Sequence, residues 1–249
     1  MRNPDVQSSP PIPDAERLIV ALDVADAAAA RRMVEALGDH VCFYKVGLEL
    51  AMTPDYFELI DWLAACGKRV FVDVKLFDVP ATVAAAVRQL AARGVDFITV
   101  HGNQAIMEAA AAAKQGNTRL LAVTALTSLD RGDLDDLGFD CDVGQLVLSR
   151  ARRALEAGCD GVVSSGMELT RLRAEAPSAL TTVVPGIRPV TNDEAPPDDQ
   201  KRVMTPAEAI AAGADHIVVG RPIRDASEPA AEAARIQREI QTARAEVGT

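Results

Sequence analysis

The stretch 70-VFVDVKLFDVPATV-83 decides how the rest of the chain is read. Val70, Phe71, Val72 and Val74 have the character of a strand buried on both faces, as in parallel sheets covered by helices. Yet Asp73, Lys75 and Asp78 fall within six positions of one another. Side chains alternate along a strand, so Asp73 and Lys75 point to the same side. Opposite charges aimed into a sheet interior lose hydration that their attraction does not fully restore. The arrangement therefore calls for a reason other than stability.

Elsewhere the composition is that of a globular protein: 249 residues, 49% hydrophobic and 25% charged. A net charge of −10 argues against non-specific binding to nucleic acid or to an anionic membrane surface, so an anionic ligand needs a local pocket. No apolar run approaches the roughly 18 residues of a membrane span. Cys42, Cys66, Cys141 and Cys159 stand singly, without C-x-x-C pairing, and read as reduced, mostly buried thiols of a cytoplasmic protein. Residues 1–16 carry four prolines before Asp14 and no apolar signal core, so they are expected to form a loosely draped arm outside the fold.

From residue 17 onward, short β-branched runs alternate with alanine-rich helical stretches. Strands are expected at Leu18–Val24, Val41–Val46, Arg69–Lys75, Asp96–Val100, Arg119–Thr124, Gly161–Ser164, Thr182–Val184 and His216–Gly220. Helices are expected at Ala25–Leu37, Asp55–Cys66, Ala81–Arg93, Gln104–Gln115 and Gln145–Ala157, with Gly67, Gly94, Gly116, Gly158 and Gly213 as C-terminal caps. The phrases ARGVDFITV, EAGCDGVVSS and AAGADHIVVG share one form: helix end, glycine, aspartate, buried strand. Eight strands alternating with helices across residues 17–249 predict an α/β protein, a single-domain TIM (β/α)8 barrel. A doubly wound sheet is the alternative, disfavoured by the lack of a G-x-G-x-x-G turn after the first strand.

In a barrel the loops after the strands form the functional end. Here those ends carry Asp23, Lys45, Asp73 with Lys75, His101, 124-TALTS-128, 185-PGIRP-189 and 220-GRPI-223. Ionisable groups converging on one mouth mark a site. The last two loops suit a phosphate, since glycine admits close backbone approach and Arg188 and Arg221 offer planar forks. The polar, proline-punctuated stretch 189–206 suits a lid over that phosphate, with Gln200, Lys201 and Arg202 within reach. His101 lies near the site but reads as a hydrogen-bonded structural residue, as do His40 and His216. Three scattered histidines without paired ligand spacing argue against an obligatory metal.

These residues resemble the orotidine 5′-phosphate decarboxylase family. D-V-K-L-F-D-V-P-A-T-V is similar to its D-x-K-x-x-D-x-P-x-T signature, and L-I-V-A-L-D-V, Y-K-V-G-L-E-L, V-P-G-I-R, D-D-Q-K-R-V-M-T-P and V-V-G-R-P-I agree with it. The likeness runs from about Arg17 to the final helix. Ala81 departs from it, where relatives often carry asparagine, and no role is placed there. The resemblance implies decarboxylation of orotidine 5′-phosphate to UMP, the last step of pyrimidine nucleotide synthesis, in a cytoplasmic homodimer without cofactor. It implies an alternating charge chain of Lys45, Asp73, Lys75 and Asp78, with Asp78 and Thr82 reaching across from the other subunit. Asp23 and Lys45 would hold the ribose, and Thr127 and Ser128 resemble residues near the pyrimidine. Pro185, Arg188, Gln200, Gly220 and Arg221 would surround the phosphate.

The chemistry fits these residue types. Loss of CO2 from a pyrimidine 6-carboxylate leaves negative charge on a ring carbon with no obvious electron sink, so electrostatic stabilisation must be built in. An ammonium at Lys75 meets that need and can then protonate C6. Repulsion between Asp73 and the departing carboxylate ranks below it. The nearest rival is a sugar-phosphate decarboxylase or aldolase sharing the D-x-K-x-x-D core, which would use magnesium at Asp23, Glu49 and Asp73. A second rival, from another class, is a nucleotide-binding barrel without catalysis.

Overall fold

A computed structural model describes residues 11–175, 180–189 and 203–247. Its eight strands are β1 (Leu18–Ala21), β2 (Phe43–Gly47), β3 (Arg69–Leu76), β4 (Phe97–Val100), β5 (Arg119–Val123), β6 (Gly161–Val163), β7 (Thr181–Val184) and β8 (His216–Val219). They pair in parallel and in chain order, and β8 closes onto β1 through Ile19↔Val218 and its neighbours. The predicted (β/α)8 barrel is the observed fold. The main helices are α1 (Ala27–Leu37), α2 (Tyr56–Ala65), α3 (Pro80–Ala91), α4 (Gln104–Ala113), α5 (Val143–Glu156), α6 (Leu169–Glu175), α7 (Pro206–Ala211) and α8 (Pro229–Val247). All five predicted glycine caps have positive φ, between 59° and 101°.

Some boundaries differ from expectation. β1 stops at Ala21 and β8 at Val219, so Asp23 and Gly220 sit in the loops beyond their strands. Helix α5 starts at Val143 rather than Gln145, because Asp142 and Gln145 form a reciprocal capping box. The thiols are free as expected but not mostly buried: Cys159 is buried, Cys42 and Cys141 are half-buried and Cys66 is exposed. Cys66 follows the last turn of α2, whose helical period turns it to solvent. Of the N-terminal arm, residues 1–10 lie outside the described residues. Asp14–Arg17 forms one helical turn at the barrel base, where the buried Arg17 donates to the carbonyls of Asp215 and Ile12.

Strand alternation sorts the core into two layers. One parity faces the helices, including Leu18, Val20, Tyr44, Val46, Val70, Val72, Ile98 and Val219. The other fills the barrel, with Ile19, Phe43, Phe71, Phe97, Leu121, Val183 and Val218. Phe43, Phe71, Phe97 and His216 form an aromatic plug, with neighbouring ring centroids 5.0–5.8 Å apart. Arg69 covers it, its guanidinium 4.5 Å from the Phe43 ring and bonded to Asp96 and Glu16. The functional end of the barrel stands on this plug.

His216 is buried, and its Nδ1 lies 2.8 Å from the Glu16 carbonyl while Nε2 has no partner among the described residues. Burial pushes its pKa down to about 4. The unfolded chain therefore takes up a proton near pH 6.5 that the folded chain refuses until about pH 4. Stability contributed by the neutral ring is present above pH 6.5 and falls with pH, by about 3 kcal/mol across that window. The expected outcome is that the stability gap between the native protein and His216→Gln shrinks steadily from pH 7 to pH 4 in urea titrations.

Candidate active site

The inward parity that builds the plug also builds the site. Two residues beyond Phe43 stands Lys45, two beyond Phe71 stands Asp73, and two beyond Phe97 stands Thr99. Lys45 Nζ donates to Asp23 Oδ1 at 2.9 Å and lies 3.8 Å from Asp73 Oδ2. Lys75 Nζ donates to Asp73 Oδ1 at 2.9 Å. The result is an alternating row, Asp23–Lys45–Asp73–Lys75, running from the loop after β1 across β2 and β3. The Lys45 and Asp73 side chains are each only 12% exposed, against 37% for Lys75.

Burial alone would raise the Asp73 carboxyl. The ammonium groups of Lys45 and Lys75, with hydrogen bonds from Lys75 and the Thr99 hydroxyl, outweigh burial and hold it below the ordinary carboxylate range. Lys75 adopts φ +50°, the only described non-glycine residue with positive φ. That left-handed backbone costs a non-glycine residue energy and recurs where geometry serves function. The expected strand does run through Lys75, as far as Leu76, but β3 bulges against β4 between Val72 and Leu76.

These residues open into a cavity of about 420 Å3 at the mouth of the barrel. Its walls include Asp23, Lys45, Asp73 and Lys75 on one side and Thr127 and Ser128 on another. Pro185, Arg188, Gly220 and Arg221 complete the far side, and Phe71, Val123, Val163 and Val218 form an apolar floor. Gly220 is packed so closely that a Cβ would lie 3.3 Å from Asp23 Oδ2. The backbone of Arg188 donates to the Met204 carbonyl and that of Met204 to the Gly186 carbonyl, a parallel bridge that draws the two sides of the 189–206 loop together. Gln200, Lys201 and Arg202 lie outside the described residues.

Asp78 and Thr82 do not line this cavity. Both are exposed, and Asp78 Oδ1 accepts from the Val79 amide. They border a separate apolar groove of about 500 Å3, flanked by Leu48, Met52, Phe57 and Phe77. His101 also lies outside the mouth, its ring edge-on to Phe77 at 5.6 Å, on a third cavity of about 870 Å3. Burial, then Arg150 and Lys75, lowers its pKa and keeps it neutral at pH 7. Two participants escaped the sequence reading. Thr99 had a legible signal, a polar residue at the inward position of a buried strand. Arg224, on the cavity wall and donating to the Asp23 carbonyl at 2.8 Å, had none, because the contact joins the two ends of the chain.

Residues 16–236 match the model of the orotidine 5′-phosphate decarboxylase / HUMPS family. The chain belongs to this family. It is 62% identical over 237 residues to the orotidine 5′-phosphate decarboxylase of Methylococcus capsulatus, covering 95% of this chain and 97% of that protein. The enzyme of the same name from Stenotrophomonas maltophilia is 50% identical over 234 residues, 94% of this chain and 96% of that protein. Among solved structures, orotidine 5′-phosphate decarboxylase from Lactobacillus acidophilus superposes with a TM-score of 0.78 at 33% identity, covering 90% of this chain and 99% of that one. Among the described residues, no helix is long and apolar enough to cross a membrane.

The charge row makes a stability forecast. Lys45→Met leaves Asp23 without its ammonium and Asp73 with only one. Breaking a largely buried pair typically costs about 3–5 kcal/mol. The loss should be largest at pH 7 and smaller near pH 4, where an uncompensated carboxylate can take a proton, as urea titrations at the two pH values would register.

Proposed function

We propose that the chain is a cofactor-independent carboxy-lyase that converts orotidine 5′-phosphate to UMP and CO2, the last step of pyrimidine nucleotide synthesis, in the cytoplasm. The observation that carries this reading is the charge row Asp23–Lys45–Asp73–Lys75, largely buried at Lys45 and Asp73, facing a cavity with two arginines on its far side. Membership of the family and the extent of identity to relatives bearing that enzyme's name support it.

In this reading Arg188 and Arg221, with the backbone beside Pro185 and Gly220, bind the phosphate, and Gln200 joins them from the loop. Asp23 and Lys45 orient the ribose hydroxyls, and Thr127 and Ser128 face the pyrimidine. The C6–carboxylate bond breaks, its electron pair stays on C6, and CO2 leaves over the apolar floor. The Lys75 ammonium stabilises that pair and donates its proton to C6, then recovers one from solvent. Asp73 keeps the Lys75 ammonium aimed, and its own charge opposes the substrate carboxylate until CO2 departs. Phosphate binding, remote from C6, contributes energy that holds the ring in place. The magnesium-dependent rival is less well supported: the Asp23 and Asp73 carboxylates are engaged by lysine ammonium groups, and Glu49 is exposed on the short helix Leu48–Ala51.

The reading extends to a homodimer in which Asp78 and Thr82 complete the partner's site. The groove beside them is apolar, and Leu48, Met52, Phe77 and Val79 are 61–75% exposed around it. Such a patch marks an interface. Phe77 is fixed outward, since Gly102 (φ +111°) packs so tightly against its ring that an added Cβ would lie 2.6 Å away.

Purified protein should deplete the ultraviolet absorbance of orotidine 5′-phosphate equally with and without EDTA, and Lys75→Ala should lower kcat by at least about a thousandfold. A folded protein without turnover would sink the reading. For the dimer, Lys75→Ala and Asp78→Asn are each expected to be nearly inactive alone. Mixing and reassociation should restore about a quarter of native activity, because half the dimers then hold one intact site. No recovery would refute the shared site.

A further inference from the structure

Between the pairs Val72↔Ile98 and Leu76↔Val100, β3 has Asp73, Val74 and Lys75 where β4 has Thr99 alone. The bulge leaves the Lys75 amide without a place in the regular ladder. It donates instead to Thr99 Oγ1, at 2.9 Å. An amide can only donate, so that oxygen accepts, and its single proton is directed elsewhere. It goes to Asp73 Oδ1 at 3.0 Å, the oxygen that also receives Lys75 Nζ. Thr99 is fully buried on the inner face of β4, beyond Phe97.

We infer that Thr99 is a positioning residue: its hydroxyl ties the left-handed backbone of Lys75 to the carboxylate of Asp73, so that ammonium and carboxylate are presented to the reacting carbon as one unit. Three observations bear on this. The hydroxyl has the sole side-chain oxygen facing the bulge from β4. Its direction of donation is fixed by the amide on one side and delivers the proton to Asp73 Oδ1 on the other. Its partner Lys75 has the strained conformation that a regular β3–β4 ladder would not impose. Thr99 does not itself line the catalytic cavity, so it acts through Asp73 and Lys75, which do, and leaves substrate binding to others.

The inference rests on the decarboxylase reading for its kinetic test, and a second measurement stands without it. Thr99→Val keeps the shape and removes the hydroxyl. Its kcat should fall about 10- to 100-fold, the range for losing a hydrogen bond to a charged group. KM should stay within about threefold, since the loss falls on the reacting step. Thr99→Ser restores the hydroxyl and should recover most of kcat. Independently, hydrogen exchange of the Lys75 amide should quicken at least about tenfold in Thr99→Val and stay slow in Thr99→Ser. Should Thr99→Val fail to fold, Thr99→Ala against Thr99→Ser poses the same comparison. Native kcat with unchanged Lys75 exchange in the hydroxyl-free variant would overturn the inference, as would a loss confined to KM. Absence of turnover in the native protein would instead sink the decarboxylase reading, and Lys75 exchange would still decide whether Thr99 holds the bulge.

Discussion

The Asp73 carboxylate, drawn between two ammonium groups inside a closed barrel, is the interaction around which the functional end is arranged. A carboxylate so placed cannot stay ionised on its own. Lys45 reaches it from β2 and Lys75 from further along β3, while Thr99 supplies a hydroxyl from β4. Three adjacent strands must therefore hold register to within a fraction of a hydrogen bond. Barrel closure supplies that constraint, and the aromatic plug beneath gives the inward side chains a dense floor. The site and the core share one parity on the same strands, so neither can shift without the other.

Much of this was legible in the order of residues. Eight buried runs with glycine-ended helices between them imply a barrel, because parallel strands need helical crossovers and those crossovers need stops. Asp73 and Lys75 do meet, as strand alternation suggests, although the bulge sets how they do so, and Lys45, Arg188, Gly220 and Arg221 line the same mouth. The bulge was not legible. No glycine or asparagine announces a positive φ in D-V-K-L, and the conformation is imposed by what faces it from β4. Arg224 and the exposure of Cys66 were hidden for a related reason, since each depends on rotation or distance that local pattern does not encode. Asp78 and Thr82 show the opposite case: their place in the signature is plain, yet in a single chain they face an apolar groove that meets the mouth only at Lys75.

Electrostatic cost and apolar cost are met in different places. At the mouth, the largely buried Asp73 is compensated by the neighbouring ammonium groups of Lys45 and Lys75. At the base, Arg69 spreads over Phe43 while bonding Asp96 and Glu16, so a cation seals the plug without entering it. Lys114 with Asp160 and Arg173 with Asp215 repeat that device under β5 and β7, each aspartate also accepting a strand amide. These recurring aspartates are those of the G-x-D phrases: a sequence motif that looks like punctuation is a set of clasps at the strand starts.

The short parallel bridge between Ile187 and Met204 has a bearing on how such a chain can diverge. It fastens both ends of the excursion after β7 to the barrel, so the residues between are enclosed in a loop whose closure is already secured. The entropy of closing a loop grows only with the logarithm of its length. Insertions or deletions there would cost the barrel little, so the constraint on this segment comes from the ligand that Gln200 would reach and not from the fold.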